Sequence, residues 1–278
     1  MPQSTTTPGL RIAFVSHGGG PLPLLGDPSH DALVHSLQHM ASQMPRPSAI
    51  VVVSAHWEQT QPTVTTGAHP ALIYDYGGFP PESYTITYPA PGSPTLAART
   101  LHAINALSTH GLHAQDDPQR GFDHGMFVPL KLMYPEADIP CIQLSLCHDL
   151  NPAKHLAMGQ ALRTLADNAN TDAPILLLGS GFSFHNMRAF FSAPTPANQA
   201  LNRSFEQWLH TTCCDEDLTT ADRLDRLQHW AQAPGARYCH PREEHLLPLH
   251  VCMGAAQTAA RQAWSFETLG QQASAYLW

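Results

Sequence analysis

A chain of 278 residues with 43% hydrophobic and only 13% charged side chains can bury a sizeable core and is too apolar to be disordered. A formal charge of −8 without any Lys/Arg cluster excludes a nucleic-acid surface, and no apolar run is long enough to span a bilayer. Six scattered cysteines without a C-x-x-C pair read as ordinary thiols of a reducing cytoplasm, and MPQSTTTPGL carries no signal-peptide pattern, which leaves the 18 histidines as the outlier.

The first apolar run, Arg11–Ser16 (RIAFVS), reads as a buried strand leading straight into SHGGGP, which puts His17 at its carboxyl end. A helical pattern covers Asp31–Met44. The second strand, Ala49–Ser54 (AIVVVS), leads into SAHWE and puts His56 at its exit. Residues 69–94 are rich in Tyr, Pro and Gly and read as a long ordered loop, a kind of segment that is often functional. A helix starts at Ser93-Pro94 and runs through LAARTLHAINAL. In GFDHGMFVPLKLMYP, Gly121 and Gly125 bracket Asp123-His124 in a tight turn before an apolar helix.

Cys141–Leu146 (CIQLSL) is the third strand, and Asn151-Pro152 supplies a cap and a first-turn proline for the next helix. Ile175–Leu178 is the fourth strand and leads through GSGFSF to His185. Two polar helical stretches occupy Pro196–Gln232, and the tail WSFETLG…ASAYLW adds edge strands. The alternation predicts an α/β fold: a single domain over residues 1–278, with a largely parallel central sheet flanked by helices on both faces.

In open α/β sheets, ligands bind beyond the carboxyl ends of the strands, so His17, His56 and His185 form a constellation at three strand exits. His30, His35, His39, His102, His110, His155, His210 and His229 lie in helical segments and are assigned no chemistry. HPREEH resembles an inverted zincin signature, but its histidines are five apart and do not share a helix face. Pro241 fits the first turn of a helix there, with Glu243 and Glu244 as solvated acids complementing its dipole. His245, set against LLPL, is held inward as a metal ligand, and His240 lines the same pocket. An esterase oxyanion hole is the competing reading of HGGG, but it requires G-x-S-x-G, which Gly179-Ser180-Gly181-Phe182-Ser183 does not fit.

Together, SHGGGP, AIVVVSAHWE, YDYGGFP…YPAPGSP, GFDHG, GSGFSFHN and HPREEHLLPLHV resemble the class III extradiol ring-cleavage dioxygenases of the DOPA-dioxygenase type, related to the LigB subunit. The segments occur in family order over nearly the whole chain. The resemblance implies one α/β domain with a mononuclear non-haem metal held by His17, His56 and His245. It implies that His185 lies beside the metal as acid/base or as a fourth ligand, and that His124 meets substrate or oxygen. Many relatives read HG-Ser-Pro or HG-Ala-Pro where this chain has Gly18-Gly19-Gly20-Pro21, which changes the pocket floor.

Dioxygen is a ground-state triplet and reacts slowly with closed-shell catechols, so ring cleavage needs a metal with open positions for both partners. Three neutral imidazoles leave those positions free, and they suit Fe²⁺ for activity or Zn²⁺ as the more tightly held ion. The partners implied are a catechol-type substrate and O₂. Proton transfer falls to His185 and His124, with Asp123 orienting its neighbour, while Tyr74, Tyr76 and Phe79 wall the aromatic ring. A zinc-dependent hydrolase using the same cage and a metal-binding relative without turnover are the alternatives.

Overall fold

The computed structural model describes residues 9–107, 110–167 and 169–278. The chain runs β1 (Leu10–Ser16), α1 (Asp31–Ser42), β2 (Ala49–Gln59), β3 (Thr63–Thr65), α2 (Pro94–Leu107), β4 (Gln115–Asp117), α3 (His124–Met133), β5 (Cys141–Cys147) and α4 (Pro152–Leu162). It continues through β6 (Ile175–Gly181), α5 (Met187–Phe190), α6 (Pro196–Cys214), α7 (Thr220–Gln228), α8 (Ala236–Cys239), α9 (Leu247–Ala256), β7 (Gln262–Thr268) and β8 (Gln271–Leu277). All four apolar runs read as strands from the sequence are strands.

They form the middle of one sheet ordered β4-β3-β5-β2-β6-β1-β8-β7. The four central strands are mutually parallel, as expected. The sheet is mostly but not purely parallel, so the expectation holds only roughly: at the flanks β3 pairs antiparallel with β5 and β8 pairs antiparallel with β1. On the second flank the cause is local. Leu269 and Gly270 both take positive φ, 52° and 70°, and so close a two-residue turn between β7 and β8. A turn that tight returns the chain antiparallel, with the hand that matches strand twist. β7 is the edge, whereas β8 lies inside the sheet.

Burial on both faces follows from strict alternation along the central strands. Ile12, Phe14, Val51, Val53, Leu144 and Leu177 point into one apolar layer, while Ala13, Val15, Ile50, Val52, Leu176 and Leu178 point into the other. The first layer is covered by α2, α4, α6 and α9, the second by α1 and α3. Each fully buried aliphatic side chain contributes about 1.5–3 kcal/mol, so these layers, and not the loops, hold the sheet rigid beneath its carboxyl edge.

Two close approaches fix that edge. A Cβ on Gly179 would sit 2.6 Å from the Pro248 carbonyl oxygen, and one on Gly181 would sit 2.1 Å from that of His245. Glycine at both positions lets the start of α9 press onto the end of β6. The same contact corrects the reading of HPREEH. Its residues do not open a helix, because the His245 carbonyl accepts from Phe182 N at 2.9 Å and ties the segment to β6. The helix begins only at Leu247, with Pro248 in its first turn.

Candidate active site

Three elements bring three imidazoles to one point above the parallel strands. His17 follows β1 directly, and its N–H donates to the Gly181 carbonyl at 2.9 Å, which locks the exits of β1 and β6 together. His56 sits where the pairing of β2 with β5 shifts register between Val53 and Glu58, a bulge that re-aims the strand toward its end. His245 is held by the β6 contact described above. The ring centroids are 4.8 Å apart for His17 and His56, 4.8 Å for His56 and His245, and 5.3 Å for His17 and His245.

His124 and His185 complete the cluster. The His124 ring lies 3.8 Å from that of His56, and the His185 ring stacks on His245 at 3.4 Å. Burial, reinforced by the neighbouring rings, holds His17 and His56 well below the ordinary imidazole pKa. Burial likewise lowers His245 to about 3. All three are thus neutral imidazoles with a lone pair available.

Two carboxylates set the ring orientations, and the sequence reading missed both. Asp75 Oδ1 lies 2.8 Å from His124 Nδ1 and accepts from its backbone N–H at 3.0 Å. Burial pushes the Asp75 pKa up, but these bonds more than offset it and leave the carboxyl below its usual range. Glu244 Oε1 lies 2.9 Å from His245 Nδ1 and 3.1 Å from His185 Nδ1. Those bonds overcome its burial and keep Glu244 ionised far below the usual carboxylate range. A carboxylate fixes each Nδ1 as the donor, so Nε2 of His124, His185 and His245 is left free.

Glu244 is 8% exposed, not a solvated acid at a helix start, since no helix starts there. Its direct adjacency to His245 was the available signal. Asp75 lay in the Tyr/Gly-rich loop singled out above, between Tyr74 and Tyr76, but nothing in the spacing linked it to His124. Asp123, expected to orient His124, instead faces the sheet, accepting from Ser54 Oγ at 2.7 Å and from the Gln143 side chain. Its position as the N-cap of α3 aims it away from its neighbour.

His240 also departs from expectation. It does not line the pocket but lies fully buried behind it, with Nε2 2.7 Å from the Ser183 carbonyl and its ring edge-on to Trp230. Tyr74 is spent on the loop itself, its hydroxyl donating to the Ile86 carbonyl at 2.7 Å, and it does not line the cavity either. Tyr76 and Phe79 do reach the cavity wall.

The cavity holds about 310 Å³ and is floored by His17, His56, His124, His185 and His245. Gly18, Gly19 and Gly20 form its near side. Gly18 and Gly20 take positive φ, 90° and 58°, and a Cβ on Gly18 would strike Pro23 at 2.7 Å. Glycine is therefore required for the turn that brings the backbone beside the imidazoles.

Two of these imidazoles are spaced to share one divalent ion. His17 Nε2 and His56 Nε2 lie 3.2 Å apart. Two nitrogens bound tetrahedrally at ~2.0–2.1 Å to one ion would be separated by roughly 3.3 Å. Donor atoms of His17, His56 and His124 lie within 4.8 Å of one another, as do those of His185, Glu244 and His245.

Known proteins are similar to this chain over most of its length. The family described as the catalytic LigB subunit of aromatic ring-opening dioxygenase matches residues 13–277. The dioxygenase tasH of Hapsidospora irregularis is 41% identical over 96% of this chain and 85% of its own length. The 4,5-DOPA dioxygenase extradiol of Beta vulgaris is 38% identical over 87% of this chain and 85% of its own. The Escherichia coli protein of the same name is 35% identical over 91% and 86%. A crystal structure of an uncharacterized Escherichia coli K12 protein aligns with TM-score 0.70 at 29% identity, covering 96% of this chain and 98% of that one.

Proposed function

Because the chain belongs to the LigB family of aromatic ring-opening dioxygenases, as an enzyme of the extradiol type, we propose that it opens a catechol-type ring at one divalent metal held by His17, His56 and His245. The observation that carries this reading is the convergence of three neutral imidazoles, two of them with Nε2 atoms 3.2 Å apart, on the floor of an apolar cavity. The whole chain acts as one catalytic domain in this reading.

Ring opening here is a balanced addition. Both atoms of O₂ enter the product, one in the new aldehyde and one in the new carboxylate, and the ring supplies all the electrons. Bound Fe²⁺ supplies the one-electron exchange that a closed-shell ring and triplet O₂ lack between them. Zn²⁺ fits the same three imidazoles and competes for them.

The protein's own work is positioning and proton transfer. His124, with Nδ1–H donated to Asp75, presents Nε2 as the base that takes the proton of a catechol hydroxyl. His185 is oriented by Glu244 in the same way; its Nε2 takes the proton of the second hydroxyl and returns it to the opened product, as His124 returns the first. Its stacking on His245 also places it close enough to serve as a fourth ligand before substrate enters. Tyr76 and Phe79 wall the aromatic ring, and the glycine turn lets the ring reach the imidazoles.

No helix among the described residues is long and apolar enough to cross a membrane. Six unpaired cysteines, five of them buried, fit a reducing cytoplasm.

The test is anaerobic reconstitution with Fe²⁺ followed by a catechol in oxygenated buffer. One O₂ should be consumed per ring opened, with a yellow semialdehyde product. Ester or amide hydrolysis by the zinc form without O₂ uptake on any catechol would transfer the site to the hydrolase reading. Metal binding with neither activity would leave a non-catalytic relative.

A further inference from the structure

The floor of the cavity is polar, but everything above it is apolar. Phe182, Phe190, Leu22 and Leu269 form the upper walls, and among the described residues no Lys, Arg, Asp or Glu lines the space. The two nearby carboxylates are committed to histidines, Asp75 to His124 and Glu244 to His185 and His245. The nearby cation Arg242 is gripped by Glu58 through two bonds of 2.6 and 2.7 Å. A zwitterionic or anionic side arm on the substrate would lose water here and gain no charged partner.

The rim is apolar as well. Met187 and Phe191 flank the mouth on and just after α5, 52% and 84% exposed. They are two of only four large hydrophobic side chains exposed among the described residues. Phe190 between them is fixed by stacking on Phe182 at 5.7 Å and by edge contact with Phe184 at 5.4 Å. The fixed ring and its two exposed neighbours thus make an apolar lip directly above the metal-binding floor. A cavity of about 310 Å³ is larger than a bare catechol ring requires, so the ring covers the floor and leaves the lip bare.

We propose that the natural substrate is a catechol carrying an uncharged, apolar side arm, with Met187, Phe190 and Phe191 as the residues that select it. This deepens the ring-opening reading above and rests on it. The side arm leaves the ring on the side away from the hydroxyls, passes between Phe182 and Leu269 and lies under the lip. Burial of each methylene there strengthens binding, whereas an amino-acid arm is excluded for want of partners.

The experiment uses the Fe²⁺-loaded protein with catechols bearing no arm, an ethyl, a butyl or a hexyl arm, and with DOPA and dihydroxyphenylacetate. kcat/KM should rise about three- to fourfold per methylene until the arm fills the lip. DOPA and dihydroxyphenylacetate should fall below the unsubstituted ring. Met187→Ser/Phe191→Ser should flatten the rise with arm length, and Phe191→Arg should improve dihydroxyphenylacetate by up to about fivefold. Both substitutions are at exposed positions, so metal content and the melting midpoint serve as folding controls. A series flat in arm length, or DOPA above the hexyl compound, overturns the proposal while leaving ring opening intact. Calorimetric titration of the Zn²⁺-loaded protein with ethyl-, butyl- and hexylphenols, which cannot be cleaved, tests the lip independently of turnover. Affinities that climb with arm length support it even if no catechol consumes O₂, and equal affinities sink it.

Discussion

His155 on α4 and His250 on α9 are as deeply buried as His17 and His245. Burial lowers His155 and His250 to about 4 and His245 to about 3, so none of these rings carries charge at neutral pH. What separates the two regions is the partners. His155 places Nδ1 2.8 Å from the Asn151 carbonyl and accepts from Cys147 N at Nε2, 3.1 Å away. His250 sets Nε2 2.8 Å from the Leu227 carbonyl and Nδ1 3.2 Å from the Leu246 carbonyl, and the neutral ring donates to one of the two. At the sheet edge the rings face one another, and His17 Nδ1 is buried without any hydrogen-bond partner. Neutral buried imidazoles are therefore common to core and site. Nitrogens turned toward one another instead of toward the backbone mark the site.

The largest effect should come from removing a proposed metal ligand. His17→Ala, His56→Ala and His245→Ala should each lose the metal, and turnover with it, from a protein that remains folded by circular dichroism. His155→Gln and His250→Gln should retain the metal in full. Elemental analysis decides both halves of the comparison, and a site variant that keeps its metal leaves the ligand set.

Next come the two rings proposed to transfer protons. His124→Ala and His185→Gln should reduce turnover by about 10²–10⁴-fold while metal content stays nearly intact. If His185→Gln empties the site as readily as His56→Ala does, His185 is a ligand first.

The carboxylates should matter less than the rings they orient. Asp75→Asn and Glu244→Gln preserve shape but weaken the hold on Nδ1, and a loss of about 10–100-fold in metal affinity or activity is expected. Glu244→Gln should be the more severe, because one oxygen serves both His185 and His245. Equal effects would mean that Asp75, with its side chain 23% exposed, matters as much as its more deeply covered counterpart.

Much of this was legible in the chain. RIAFVS, AIVVVS, CIQLSL and ILLL are apolar on both faces, a pattern that only a doubly covered sheet explains, so the parallel centre and the histidines at its exits followed directly. The antiparallel flanks were less visible, because β3 and β4 are only three residues long and carry no periodic signal. Glu244 was misread because local rules favour an acid at a helix start, and a tertiary contact, Phe182 N to the His245 carbonyl, displaced that start to Leu247. Asp75 depends on a long loop folding back onto α3, and no local pattern reports such a contact. His240 shows the converse. Proximity to His245 in sequence suggested the pocket, but Trp230 and Phe205 enclose it one layer behind.

The smallest effect on chemistry, and one on stability alone, should come from the core pair. His155 and His250 titrate at about 4 when folded, against an ordinary value of 6.5. Burial is the leading cause for both, and His250 adds to the lowering of His155. The folded state therefore binds fewer protons than the unfolded chain across that interval. Their contribution to stability is complete above pH 6.5 and is lost as the pH falls toward 4, amounting to about 2 kcal/mol per ring between pH 8 and pH 5. His250→Gln removes one such ring but also disturbs its hydrogen bond to the facing Leu246 or Leu227 carbonyl, which costs about 1–3 kcal/mol at any pH. The variant should thus be less stable at pH 8, yet lose less on acidification than the parent. Urea midpoints at the two pH values separate the terms, since the offset reports the hydrogen bond and the difference reports the proton. The site histidines titrate identically in both proteins and cancel. An unchanged acid slope would show that His250 already carries its proton in the folded state, and the contrast between core and site would then rest on charge as well as on partners.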